Sequence, residues 1–246
     1  MSGGQHPALH IGCSGWHYKH WRGKFYPENL PAADMLSFYA NTFDTVEINN
    51  TFYALPQEKT VQRWMEIPPE NFCFATKASR YITHVKKLND PVPALERFFP
   101  IVENLGAKLG PILFQFPPNW KFNLPRLQQF LPLLPPQHKY AFEFRHPTWF
   151  QPPVYEVLKG FNAAFCIYDR DLAETPLEVT ADHIYIRLHG SGPSYGGDYQ
   201  TEHLTKWAKR LLDWEQQGHE VWFYFNNDWR GYAIENALEL EKLILE

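Results

Sequence analysis

Cysteine is scarce: the 246 residues contain three, Cys13, Cys73 and Cys166. They lie far apart, each within an apolar segment. That spacing excludes a disulfide scaffold and a zinc knuckle, and it points to free thiols in a reducing compartment. A cytoplasmic protein is therefore expected. Long apolar runs are missing too. No stretch approaches the roughly 20 residues needed to span a bilayer. The opening MSGGQHPALHIGCSG lacks the basic start and long apolar core of a signal peptide, so no membrane partner is expected. Positive charge is not in excess. A formal net charge of -4 argues against a general nucleic-acid binder while leaving room for a local basic pocket. Familiar signatures are absent as well: no HExxH pair and no GxSxG elbow. After the first strand, GCSGWHYKHWRG places large aromatics where a phosphate-cradling turn needs bare backbone, which disfavours an open dinucleotide-binding sheet.

What the chain does have is aromatic side chains, 17% of residues with nine tryptophans, and a recurring order of elements. Eight short segments rich in β-branched and aromatic residues read as strands, at 9–15, 43–49, 72–78, 111–117, 140–146, 163–169, 183–189 and 221–227. Helical patterns separate most of them. The clearest, TEHLTKWAKRLLDWEQQG, has apolar residues at i, i+3 and i+4 and stops at Gly218. Alternating strands and helices imply parallel pairing through crossovers. Eight such units in about 250 residues is what a closed (β/α)8 barrel requires, so residues 1–246 are read as one TIM-barrel domain. The segment RDLAETPLEVTAD is too short for a full helix, so a stub is expected between strands six and seven.

Strand periodicity of two then sorts side chains inward and outward. Helices take the apolar phase. The inward phase carries Glu47 and Asn49 on strand two, Lys77 on three, Gln115 on four, Glu143 and Arg145 on five, Arg187 and His189 on seven, and Asn226 on eight. All fall near strand ends, which in a parallel barrel share one rim where active sites are built. Buried charges cost several kcal/mol each unless paired. The competing reading is that Glu143 with Arg187, or Glu47 with Lys77, are internal salt bridges that plug the barrel.

These residue types suit an anionic or polyhydroxylated small ligand. Lys77, Arg145 and Arg187 would bind the anion, with Asn49, Gln115 and Asn226 beside them. Glu47 and Glu143 would act as general acid or base, and His189 would shuttle a proton. Asp169 is a further acid/base candidate. The rim collects aromatics that could stack on sugars or bases, with Trp16 and Tyr53 as the substrate-binding candidates among Tyr18, Trp21, Phe52, Trp149, Tyr195, Tyr199 and Trp229. The loop HGSGPSYGGDYQ is either a lid or a plain flexible loop. No cofactor is expected. Glu47, Glu143, Asp169 and Asp228 have the chemistry to hold a divalent ion, but the interleaved Arg and Lys argue against one, so no metal ligands are assigned. The reaction class stays open between hydrolase, lyase and isomerase. The alternative is a non-catalytic protein that binds a ligand or a nucleic acid on the aromatic rim.

The runs IGCSGWHYKHWRGKFYP, FDTVEINNTFYALP, FATKASRYITH, GPILFQFPPNW, YAFEFRHPTW and IYIRLHG together resemble the YecE-like family, a domain of unknown function (family 72). The likeness runs from about residue 10 to 232. It implies a TIM barrel and carries over no catalytic assignment.

Overall fold

The eight expected strands all form, and each is parallel to its neighbours. The structure, a computed structural model, describes residues 6, 8–170, 173–192 and 196–246. The strands are β1 (Leu9–Cys13), β2 (Thr45–Ile48), β3 (Cys73–Lys77), β4 (Leu109–Gln115), β5 (Tyr140–Glu143), β6 (Ala164–Arg170), β7 (His183–Leu188) and β8 (Glu220–Phe225). Their order around the sheet is β1-β8-β7-β6-β5-β4-β3-β2. Helices α1 (Met35–Ala40), α2 (Asn50–Tyr53), α3 (Glu58–Glu66), α4 (Val92–Val102), α5 (Leu124–Phe130), α6 (Pro152–Gly160), α7 (Thr201–Gln216) and α8 (Tyr232–Leu245) supply the crossovers. Between β6 and β7 the described residues contain no helix. Ala173–Glu174 instead folds back antiparallel on the end of β6. Among the described residues, no helix is long and apolar enough to cross a membrane.

Two apolar layers follow from the strand phase. Outside, Val46, Ile48, Phe114, Phe142, Ile186 and Phe223 pack under the helices. In α7 the buried residues Leu204, Trp207, Ala208 and Leu211 recur at helical spacing, so one stripe meets the barrel while the other faces stay solvated. Inside lies a smaller cluster that includes Ala75, Leu113, Ala141, Cys166, Tyr185 and Trp222. Small residues on β3, β5 and β6 leave space that the large rings of β7 and β8 fill. At the base, His10 stacks on Trp222 with ring centroids 4.0 Å apart. Its Nδ1 sits 2.7 Å from Asp44 Oδ2. Burial alone would lower the pKa of His10, but hydrogen bonds to Asp44 and Glu220 outweigh it and raise it to about 9.

The ring closes at one seam by a side chain. β1 and β2 are not joined in the ladder. The Tyr39 hydroxyl, on α1, accepts from the Cys13 N–H (2.9 Å) and donates to the Thr45 carbonyl (3.0 Å). Gly12 permits the approach: a Cβ there would stand 2.4 Å from the Thr45 oxygen. Tyr39→Phe keeps the ring but leaves a buried donor and acceptor unpaired. The expected loss is about 1–3 kcal/mol, read as a lower urea midpoint. An unchanged midpoint would show that the hydroxyl does not hold the seam.

Candidate functional site

The stretch EINN explains how the site begins. β2 ends at Ile48 and the chain turns at once into the one-turn helix α2. Glu47 therefore looks down the barrel axis, and Asn49 sits directly above it at the rim. Lys77 and Gln115 are the last residues of β3 and β4, Glu143 ends β5, Arg187 is one residue from the end of β7, and Asn226 follows β8. Gln115 pairs in register with Glu143, and Lys77 with Leu113, two residues before Gln115 on the same face of β4.

At the centre stands Arg187, buried between two carboxylates. Its Nη2 donates to Glu47 Oε1 (2.8 Å) and its Nη1 to Glu143 Oε2 (2.7 Å). Further donors converge on both. Ser14 Oγ (2.7 Å) and Asn49 Nδ2 (3.1 Å) bind Glu47 Oε1, and the Tyr185 hydroxyl (2.7 Å) binds Oε2. Gln115 Nε2 (2.8 Å) and Arg145 Nε bind Glu143 Oε1. Burial would raise both carboxyl pKa values. For Glu143 the Arg145 and Arg187 charges overwhelm burial and hold it well below the usual range; for Glu47, Arg187 and Lys77 hold it below its ordinary value. Both are thus fixed as anions. Of the two salt bridges weighed from sequence, Glu143 with Arg187 forms, whereas Glu47 pairs with the same arginine and not with Lys77.

His189 is buried beside this group. Arg145 Nη2 lies 2.8 Å from its Nε2, and the Asn226 amide lies 3.0 Å from its Nδ1. Burial, then the Arg145 charge, pulls its pKa to about 3, so the ring is neutral. Asp169 does not reach the mouth. It accepts from the Tyr199 hydroxyl (2.6 Å) and the His189 N–H (3.0 Å), anchoring the loop that starts at Gly190. In that loop the Gly192 N–H donates to the Gly196 carbonyl (2.9 Å); Tyr195 lies outside the described residues.

A cavity of about 600 Å³ opens over the strand ends, with Asn49, Lys77, Gln115, Arg187 and Asn226 on its floor and walls. Tyr53 and Trp229 stand at its edge, 73% and 61% exposed. Trp16 is not part of it. It lines an adjoining cavity of about 430 Å³ with Trp64 and Arg63, and Glu47 and Asn49 border that space as well. Trp21, Trp149 and Tyr199 are core residues rather than stacking platforms. Their indoles and phenol are buried because loops fold over the barrel, a distinction composition does not reveal. Ser14 and Tyr185 complete the site without having been singled out, and Asp228, weighed from sequence only as a possible metal ligand, lines the cavity. Ser14 and Asp228 close strands one and eight at the same rim, and Tyr185 shares the inward phase of Arg187.

Lys77 differs from the other cations. Its ammonium has no hydrogen-bond acceptor or ion pair among the described residues, and it lies 4.3 Å from the centroid of the Phe52 ring. Burial, reinforced by Arg187, lowers its pKa to about 7. Across the cavity, burial raises Asp228 to about 6. Among the described residues, no group of three or more His, Cys, Asp and Glu is placed to hold a metal ion.

Arg187→Met would leave two buried anions facing each other. The expected cost is about 3–5 kcal/mol, and the triple change with Glu47→Gln and Glu143→Gln should recover much of it. Chemical denaturation of the single and triple variants measures this, and equal midpoints for the two would overturn the assignment.

Comparison with known proteins agrees with this architecture. The family model described as "Protein of unknown function DUF72" matches residues 10–246. The chain is 27% identical to the UPF0759 protein YunF of Bacillus subtilis, covering 96% of this chain and 94% of that one. It is 31% identical to YecE of Escherichia coli K12 across 58% of this chain and 50% of the relative. A DUF72 family protein from Thermotoga maritima superposes with a TM-score of 0.86 at 28% identity, covering 97% and 99% of the two chains. One from Enterococcus faecalis, at 21% identity and a TM-score of 0.82 over 97% and 96%, shares the fold. With its family model spanning nearly every residue and its barrel shared with solved members, the chain belongs to the DUF72 family.

Proposed function

We propose that the barrel mouth binds a small anionic or polyhydroxylated ligand and acts on it by acid/base chemistry. One observation carries this reading: Lys77 projects a cation into the cavity with no anion in contact among the described residues, whereas Arg187 and Arg145 are tied to carboxylates. With Lys77 protonated and His189 neutral, the central group of Arg187, Arg145, Lys77, Glu47 and Glu143 has a surplus positive charge. A ligand oxyanion would neutralise it, and the Gln115 and Asn226 amides would supply neutral hydrogen bonds around it.

Proton transfer falls to Lys77 and Asp228 in this reading. Their proton affinities lie near neutrality, where a general acid or base is most effective. Glu47 and Glu143, held ionised by several donors each, serve to fix Arg187 and to stabilise positive charge above them. His189, bracketed by Arg145 and Asn226, orients both. The alternative is non-catalytic binding of a flat ligand, single-stranded nucleic acid included. It draws on the exposed rings of Tyr53 and Trp229 beside the same cavity.

Sulfate is a suitable probe because it does not titrate near neutrality. It should raise the melting temperature of the wild-type protein and leave Lys77→Met unmoved. If the ammonium form binds it, affinity holds below the Lys77 value of about 7 and falls by up to about tenfold per pH unit above it. A pH-independent shift, or one retained in Lys77→Met, would refute the anion site. Quenching of tryptophan fluorescence by an oligonucleotide at low salt, without any sulfate effect, would favour the rim.

A further inference from the structure

The placement of Lys77 suits a nucleophile better than a simple counter-ion. A lysine that only neutralises charge gains by touching its anion, yet Glu47 and Glu143 act on this ammonium through space while their oxygens are taken by Arg187, Arg145, Ser14, Tyr185 and Gln115. The Lys77 backbone is fixed: its carbonyl accepts from Thr51 Oγ1 at 2.6 Å. Its side chain is nearly enclosed, 8% exposed, and lies over the Phe52 ring, so few solvent molecules and, among the described residues, no acceptor compete for the nitrogen. The two neighbouring guanidinium groups favour the neutral amine, the condition that activates lysine toward carbonyl carbon. The two ionised carboxylates stand ready to offset a permanent positive charge at the same nitrogen.

We propose that Lys77 forms a Schiff base with the carbonyl group of a small anionic oxo compound, an oxo acid or an oxo phosphate. The proposal rests on the anion-binding reading above and names its substrate class. The neutral Nζ attacks the carbonyl carbon with its lone pair. The carbonyl π pair moves to oxygen, which takes up a proton as nitrogen loses one, giving a carbinolamine. A second protonation of that oxygen lets it leave as water while the nitrogen lone pair forms the C=N bond. Overall, ammonium and carbonyl give protonated imine and one water. Asp228, which lines the same cavity, would deliver and recover the proton. Glu47 and Glu143 would stabilise the iminium, and the Gln115 and Asn226 amides would hold the ligand's anionic group.

Reductive trapping tests this. The full-length protein is incubated separately with pyruvate, glyoxylate, dihydroxyacetone phosphate and neutral acetaldehyde, then treated with borohydride and weighed intact. A single adduct of ligand mass less one oxygen, mapped to Lys77 and absent in Lys77→Met, is expected for the anionic carbonyls. Lys77→Arg keeps the charge but forms no imine; it should also lose the adduct, which covers the case of a poorly folded Met variant. Trapping at fixed time should rise with pH through about 7 as the amine is freed. Adducts spread over many lysines, or persisting in both variants, would overturn the proposal. A sulfate-induced melting shift without any adduct would overturn the Schiff base and leave the anion site standing. A Lys77 adduct with acetaldehyde but no sulfate effect would do the reverse.

Discussion

The Arg187 guanidinium held between Glu47 and Glu143 is the constraint on which the mouth of the barrel is built. It joins β2, β5 and β7 across the axis, so three strands far apart in sequence share one buried charge group. Bringing these ions out of water costs several kcal/mol apiece, recovered only if nearly every lone pair finds a donor. Ser14, Asn49, Tyr185, Gln115 and Arg145 are the donors that meet this demand. With these donors in place the carboxylate oxygens around the arginine are already engaged, and among the described residues none of them accepts from Lys77. The isolation of that lysine is thus a consequence of how completely the arginine is satisfied.

Below this group the barrel is filled by mass rather than charge. Ala75, Ala141 and Ala164 on one side accommodate Tyr185, Tyr224 and Trp222 on the other. The pattern moves the empty volume upward, to the strand ends, where the amides and the nearly enclosed Lys77 line the cavity. Structure and chemistry are therefore separated along the axis: an apolar plug with the His10–Trp222 stack beneath, and a polar cavity above.

Much of this was legible in the amino-acid order. Alternation in HIYIRLH placed Arg187 inward with Tyr185, and DTVEIN did the same for Glu47, because a strand buried on one side by helices must turn its polar phase to the axis. The lack of a full helix after β6, where a stub was expected, follows from a segment too short and too rich in turn residues to coil. Contacts were less accessible. Periodicity shows that Glu143 and Lys77 face one cavity, but not that Glu143 would bind arginine while Lys77 lies over the Phe52 ring without an ion pair among the described residues. That outcome depends on side-chain reach and on competition among donors. Burial of aromatics was similarly opaque, since Trp21 and Trp149 look like Trp229 until the loops are folded over them. Ser14 lay in a segment too short to distinguish from a turn.

The phenol that bridges β1 and β2 gives the barrel an adjustable girth. Elsewhere the distance between neighbouring strands is fixed by backbone pairing and cannot be tuned by sequence. At this one junction it is the reach of a side chain rooted in α1, just beneath Ser14 and Glu47. A change at Tyr39 or at the facing Gly12 would therefore act on the width of the opening through one side chain and not through a ladder of backbone bonds.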